Sequence, residues 1–259
     1  MDSPPSPTLM KLAAAVRRHR KRAELTQLQL AELIPCSDKT ISAIETGRER
    51  PSRGMVVAVE KALQLSPDAL VDLYDLLEGE SLPGWMRDWV IEERRASMLR
   101  SFELVIIPGL LQTEGYARAL LNGNETAVQA RMDRQGILTS DAPPTLHAVL
   151  DEGLLYREIG GRQGMYDQLR HLTECASEKL TVQIVPSDVN PCRIGAFMIG
   201  TVDGGGEVAY IETAVRGIVT SSRDDVTHLN GTWENIRSHA LSQRESLDFI
   251  RRTAEERWT

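Results

Sequence analysis

The sequence predicts an α+β chain in two parts, an all-α domain of five helices followed by an α+β domain. Three observations carry the prediction. Through residues 8 to 77, apolar side chains recur at helical spacing in short segments separated by capping and breaking residues. Residues 78 to 84 contain two glycines and a proline and read as a linker. Over 85 to 259, short aliphatic runs of strand type alternate with helical patterns. With 259 residues and 41% hydrophobic content, the chain can bury two cores.

Pro4, Pro5 and Pro7 make residues 1 to 7 a disordered tail, after which Leu9, Leu12, Ala13 and Val16 mark a first helix over 8 to 23. Thr26 suits the N-cap of a short helix carrying Leu30, Ala31 and Leu33, which Pro35 ends by excluding Ile34 from the helical region. Ser37 caps a third helix, anchored by Ile41 and Ile44 and stopped by Gly47, a residue at ease in the left-handed backbone of a helix end. Met55, Val59, Ala62 and Leu63 predict a fourth helix, and Leu70, Leu73, Tyr74 and Leu77 a fifth. In the second part, 85 to 99 reads as a helix and 105 to 107 as an aliphatic run closed by a type II turn at Pro108-Gly109. Thr113 caps a helix stopped at Asn122-Gly123, and another follows over 125 to 138. Strands are expected at 146 to 150, 180 to 185, 196 to 202 and 207 to 211, the last two joined as a hairpin through Asp203-Gly204-Gly205-Gly206. Helices near 162 to 177 and 223 to 240 complete the domain, with Gly160-Gly161 read as a helix stop.

A net charge of −7 argues at first against nucleic acid, but its distribution removes the objection. Residues 9 to 55 carry ten Lys/Arg against five acids, a surplus of +5, while residues 56 to 259 are left with −11. Such asymmetry predicts a nucleic-acid end and a separate acidic input end, although the basic run at 17 to 22, taken alone, suits a solvated helix face equally well. Cys36, Cys175 and Cys192 are scattered and show no C-x-x-C spacing, so neither a disulfide framework nor a metal site is expected. No apolar run reaches the roughly 18 residues of a membrane span, and the opening lacks the order of a signal peptide. The expected location is the cytoplasm, at the nucleoid.

The second and third helices have the form of a helix-turn-helix, in which one helix braces against the DNA backbone and the next presents its N-terminal side chains to base edges. Ala31 supplies the small residue where the helices cross. Asp38, Lys39, Ser42 and Ala43 face outward by spacing. The string TQLQLAELIPCSDKTISAIETGRERPS resembles the Xre-type helix-turn-helix, which implies a lambda-repressor-like fold for residues 8 to 77. Carried over by position, the resemblance implies that Gln27 bonds a phosphate and supports the reading helix. It places Asp38, Lys39, Ser42 and Ala43 at base-facing positions and Thr46, Arg48 and Arg50 in a loop that grips the backbone. Ser37 and Thr40, at the start of the reading helix, complete the candidate DNA-binding set, and Glu45 falls on a usually structural acidic position. Pro35 departs from the family, which has a glycine of positive φ there, so the turn must be built differently. Lys39 alone can reach guanine bidentately, and Asp38 suits cytosine N4, so one domain should discriminate weakly and a homodimer on a two-fold operator of double-stranded DNA is expected.

The passages IPGLLQTEGYARALL, PPTLHAVLDEGLLYREIGG and TVQIVP are similar to an actinobacterial domain of unknown function found behind an Xre helix-turn-helix. That resemblance implies an antitoxin-like or developmental regulator, a repressor by expectation, whose DNA binding is antagonised by a small adjacently encoded protein. Ile107, Leu110 and Leu111, with Gln112 and Tyr116, make a candidate partner-docking strip, although such a strip is more often core. Trp85 and Trp89 lie four apart on one helical face and suit either a contact with the first domain or a buried pair. A small-molecule sensor in 85 to 259 is the alternative reading, for which an enclosed apolar pocket is the discriminating observation. An enzyme fused to a DNA-binding module is a third. Asp151 and Glu152 follow a strand and His147 stands four residues earlier, but no nucleophile motif or metal spacing accompanies them. Gly204 to Gly206 lacks the Lys-Ser/Thr and the helix of a phosphate loop. The sequence thus predicts neither catalytic residues nor a cofactor.

Overall fold

The computed structural model describes residues 5–80, 84–191, 195–202 and 204–259. The chain divides into two compact units, Met1–Pro83 and Gly84–Thr259.

The first unit contains five helices, α1 (Pro7–Arg22), α2 (Gln27–Leu33), α3 (Asp38–Glu45), α4 (Arg53–Ala62) and α5 (Val71–Glu80). Their boundaries follow local chemistry. Ser6 accepts from the Leu9 amide and Pro7 occupies the first turn, where its missing N–H costs nothing, so the helix begins inside the segment expected to be a tail. Thr26 and Gln29 form a reciprocal capping box on α2, and Ser37 and Ser52 accept from Thr40 and Met55 at the starts of α3 and α4. The start of α5 is capped from a distance. The buried carboxylate of Glu60 accepts from the Leu70 and Val71 amides at 2.5 and 2.9 Å, an anion at the positive end of a helix. Leu12, Val16, Leu30, Ile41, Ile44, Val56, Val59, Leu70 and Tyr74 close the core. Helix α5 runs through Glu80, so the break between units is shorter than the predicted linker; residues 81–83 of that linker lie outside the described residues.

The second unit is built on a six-stranded mixed sheet in the order β3-β2-β1-β4-β5-β6. Its strands are β1 (Ala96–Glu103), β2 (Thr145–Asp151), β3 (Leu180–Val185), β4 (Phe197–Val202), β5 (Glu207–Ile211) and β6 (Ile218–Thr220). β1, β2 and β3 pair in parallel, and β4, β5 and β6 continue the sheet antiparallel. Six helices belong to this unit among the described residues, α6 (Gly84–Arg95), α7 (Glu114–Leu120), α8 (Glu125–Gln135), α9 (Gly161–Cys175), α10 (Arg223–His239) and α11 (Gln243–Trp258). One sheet face packs Leu99, Leu146, Leu150 and Val182 against Leu169, Leu172 and Ile250, and the other packs Phe102, Val149 and Phe197 against Leu229 and Trp233. Covered on both faces, the strands lose the plain alternation of a half-exposed sheet. None of the described helices is long and apolar enough to cross a membrane.

The predicted strands at 146, 180, 196 and 207 form, and the last two make the expected hairpin, where Gly204 and Gly205 take positive φ; Asp203 lies outside the described residues. Four expectations are corrected. The helix predicted over 85 to 99 stops at Arg95, because Ala96–Glu103 becomes a central strand held by β2 and β4. Pro108-Gly109 opens a 3-10 turn in which the Leu111 amide reaches the Pro108 carbonyl, and Gly109 lacks the positive φ of a type II turn. Gly160 and Gly161, both at positive φ, start α9 rather than stop a helix. Helix α11 and strand β6 had no predicted counterpart. Trp89 is fully buried in the core of the second unit with its ring tilted 39° against Tyr210, while the Trp85 side chain lies outside the described residues.

Candidate nucleic-acid interface

The α2-turn-α3 arrangement follows from its own residues. Ile34 is extended, and the Cys36 amide donates to the Ile34 carbonyl across Pro35 at 2.7 Å, closing a three-residue γ-turn. Proline fits the centre of such a turn because its ring holds φ near the required value. This is how the turn dispenses with a positive-φ glycine. At the far end of α3, Gly47 takes φ +69°, a left-handed backbone that favours glycine, and a Cβ there would stand 2.7 Å from the sulfur of the flexible Met10 side chain.

The orientation of α3 is fixed by a buried polar network. Arg20 on α1 forms a bidentate pair with Glu45 on α3, Nε to Oε1 at 2.5 Å and Nη2 to Oε2 at 2.8 Å, and its Nη1 donates to the Leu25 carbonyl at 2.6 Å. Gln27 at the start of α2 donates its amide to Glu45 Oε2 at 2.9 Å. Burial alone would raise the Glu45 carboxyl, but the hydrogen bonds from Arg20 and Gln27, with the charges of Arg20 and Arg17, hold it below the ordinary carboxylate range. Three helices therefore meet on one carboxylate. Sequence reasoning had grouped Arg20 with the exposed basic run, yet Leu12, Val16 and Arg20 recur at spacings of four, which places Arg20 on the buried stripe of α1.

The predicted site residues divide accordingly. Asp38 and Lys39 are exposed on the first turn of α3, and Ser42 and Ala43 are half-buried one turn later. Ser37 and Thr40 are engaged in the cap, their hydroxyl oxygens 3.0 Å apart. Gln27 is half-buried and committed to Glu45 through one amide hydrogen, leaving its second for an outside acceptor. Thr46 turns its hydroxyl back onto the Ser42 and Ala43 carbonyls, and Arg48 Nε donates to that hydroxyl at 3.0 Å, which ties the exposed Arg48 to the end of α3. Arg50 lies over the Tyr74 ring, 5.7 Å from its centroid, and so packs on α5. These positions leave a hydrogen-bond donor at Gln27 and cations at Lys39 and Arg48 available around a reading helix whose first turn exposes Asp38 and Lys39.

The candidate docking strip of the second unit is core. Ile107, Leu110, Leu111, Gln112 and Tyr116 are each no more than 5% exposed. Tyr116 accepts from the Ile107 amide through its hydroxyl oxygen, and Gln112 donates to the Ile107 carbonyl and accepts from Arg131. Their polar atoms organise the chain after β1 and are not presented to a partner. His147 and Asp151 do not converge. They occupy the middle and end of β2, where His147 contacts Thr181 and Asp151 accepts from the Gly153 amide, Ser187 and Asn190. Among the described residues, no group of three or more His, Cys, Asp or Glu side chains is placed to hold a metal ion.

Residues 11–73 match the helix-turn-helix domain family, and residues 86–252 match a domain of unknown function, DUF5753. No curated protein and no solved structure matches the chain. The first match covers α1 to α4 and the start of α5, the region whose geometry has just been described. The second spans well over half of the sequence, and the chain accordingly belongs to the DUF5753 family and is a DNA-binding regulator that carries its helix-turn-helix ahead of that domain.

Proposed function

We propose that this protein is a sequence-specific repressor that binds a two-fold operator as a homodimer, without catalytic activity, and receives its signal in the second unit through a small partner protein. The observation that carries the proposal is the Arg20-Glu45-Gln27 network, which holds α3 rigidly while leaving Asp38 and Lys39 exposed to read bases. A good bidentate base contact gives about 1 to 3 kcal/mol of discrimination, so one copy with so few reading groups is a weak discriminator and two copies are needed. Leu28, Leu33 and Leu76, each more than half exposed on the first unit, offer apolar surface for a second copy. At physiological salt, duplex from the protein's own promoter should bind far more tightly than random duplex, with a dimer seen by sedimentation. Equal affinity for the two duplexes would refute sequence specificity. The partner reading requires the small adjacent gene product to lower operator affinity at least tenfold, about 1.4 kcal/mol of coupling. A partner that co-purifies but leaves affinity unchanged removes that part of the proposal.

One observation favours a second reading, a small-molecule sensor. The second unit holds a cleft of about 750 Å³, broadly open rather than enclosed, with Leu110, Leu111, Met132, Leu138 and Leu180 in its wall and His171 and Lys179 among its polar residues. Its volume falls within the range of about 300 to 1,000 Å³ typical of small-molecule sites. A ligand that shifts operator affinity in purified protein lacking any partner would favour this reading.

A further inference from the structure

The basic run on α1, left aside once Arg20 is assigned to the core, has a geometry of its own. Arg17, Arg18, Lys21 and Arg22, with Met10, Ala14 and Glu45, line one shallow surface groove of about 540 Å³. All four cations are exposed, and none forms an ion pair or side-chain hydrogen bond with another described residue. Glu45, which also lines the groove, hydrogen-bonds Arg20 and Gln27 and meets these cations only through the field that it shares with Arg17.

Five helix arginines of the second unit are compensated locally. Arg95, Arg118, Arg170, Arg237 and Arg251 each hold a carboxylate three or four residues away. Like charges at such spacings cost a few tenths of a kcal/mol per pair, and Arg17 with Lys21 and Arg18 with Arg22 are two such pairs. Their field reaches His19, whose pKa is lowered by burial and then by the Arg18 and Arg22 charges. A groove lined by four cations and a single acid that is hydrogen-bonded elsewhere suits a polyanion.

Its position identifies which one. Its lining includes Glu45, the acceptor of Gln27, and Met10, which stands against Gly47, next to Arg48. The groove thus lies beside the C-terminal end of α3. Side chains four apart on α1 advance about 6 Å along the axis, so they can meet successive backbone charges rather than a single one.

We infer that α1 is a second DNA contact, in which Arg17, Arg18, Lys21 and Arg22 bind the phosphodiester backbone and extend the grip of the helix-turn-helix without reading sequence. The inference rests on the DNA-binding reading of α2 and α3 and is tested separately from it. The full-length protein is titrated against a fluorescein-labelled random duplex of about 30 base pairs over a range of salt concentrations, because backbone contacts are independent of sequence. Changing all four cations to Gln should reduce the slope of log K against log salt by about 0.9 for each phosphate lost. Two lost contacts correspond to a slope change of about 1.8 and, by the same relation, to roughly thirtyfold weaker binding at 0.15 M salt. A companion variant, Arg17→Lys, Arg18→Lys and Arg22→Lys, keeps the charge and should keep the slope. An unchanged slope in the Gln variant overturns the inference while leaving the helix-turn-helix reading intact. Loss of slope in the Lys variant as well assigns the residues a structural role and also overturns it. Failure of the unaltered protein to bind any duplex, promoter DNA included, overturns the underlying reading.

Discussion

Replacing Glu103 by Gln tests how the second unit tolerates a buried acid at the end of its central strand. Glu103 is 8% exposed, and its one hydrogen bond among the described residues is a long one, 3.4 Å from the Ser101 hydroxyl. Burial, reinforced by the charge of Glu212, pushes its carboxyl from an ordinary 4.5 to about 8, against weaker opposing pulls from Ser101, Arg134 and Arg131. The folded state therefore keeps a proton that the unfolded chain releases above about pH 4.5. With the folded value above the unfolded one, the group carries no penalty below pH 4.5, and stability is lost as pH rises from there to about 8. One pH unit corresponds to about 1.4 kcal/mol, so the full loss is roughly 5 kcal/mol and the loss at pH 7 roughly 3 kcal/mol. Glutamine has nearly the same shape and cannot ionise. The stability gap between Glu103→Gln and the unaltered protein should widen in favour of Gln by several kcal/mol between pH 5 and pH 9. All four tryptophans, Trp85, Trp89, Trp233 and Trp258, lie beyond residue 83, so urea unfolding followed by tryptophan fluorescence reports this unit alone. A gap that stays constant from pH 5 to pH 9, or that narrows, would refute the reasoning.

The Arg20-Glu45 pair predicts a different dependence on pH. Arg20→Met leaves Glu45 buried and unpaired and should cost about 3 to 5 kcal/mol, read as loss of helical circular dichroism on heating, whereas Arg20→Met with Glu45→Leu should recover most of it. Because the Glu45 value is depressed, its stabilisation is present above the ordinary 4.5 and should disappear as pH falls through and below that point. Trp258→Ala should cost about 3 to 5 kcal/mol in urea unfolding followed by circular dichroism, since the ring is 4% exposed and its N–H bonds the Leu155 carbonyl at 2.9 Å. A cost below about 1 kcal/mol would show that α11 is not part of the cooperative unit.

What the sequence disclosed was local chemistry. Thr26, Ser37, Pro35 and Gly47 act on residues within one turn of themselves, so the helix-turn-helix could be bounded from a few letters. Strand β1 could not. Its residues, ASMLRSFE, include good helix formers and continue the pattern of α6, and they are drawn into the sheet by partners 47 or more positions away, such as Thr145 opposite Met98 and Gly200 opposite Leu99. Helix α11 was legible and missed. Ser242 and Glu245 form a capping box four letters long, S-Q-R-E, ahead of Leu247, Ile250 and Ala254. The helix is needed because β3 is an edge strand. The outward amide of Ile184 donates to the Ser246 hydroxyl and its carbonyl accepts from the Leu241 amide, which blocks pairing with a further strand. The docking strip misled because burial cannot be told from apolar composition alone, and every one of its five side chains has an internal partner or a packed neighbour.

Charge was the subtlest signal. The surplus of +5 ends near residue 55, but the structural boundary falls at Pro83, and six acids between them, Glu60, Asp68, Asp72, Asp75, Glu78 and Glu80, belong to the first unit. That unit is thus close to neutral and graded along its sequence, with ten of its eleven Lys/Arg before residue 56 and six of its twelve acids after it. Polarisation orients a small domain in the field of DNA more effectively than uniform charge does, because attraction of one side is accompanied by repulsion of the other. Glu60 shows that part of the acidic side is also structural, since its carboxylate caps α5. Arg20 shows the converse on the basic side, a cation withdrawn into the core so that its neighbours project outward. In the first unit the buried charges Arg20, Glu45 and Glu60 fix the helices, and the charges left exposed are those that a polyanion can sort by sign.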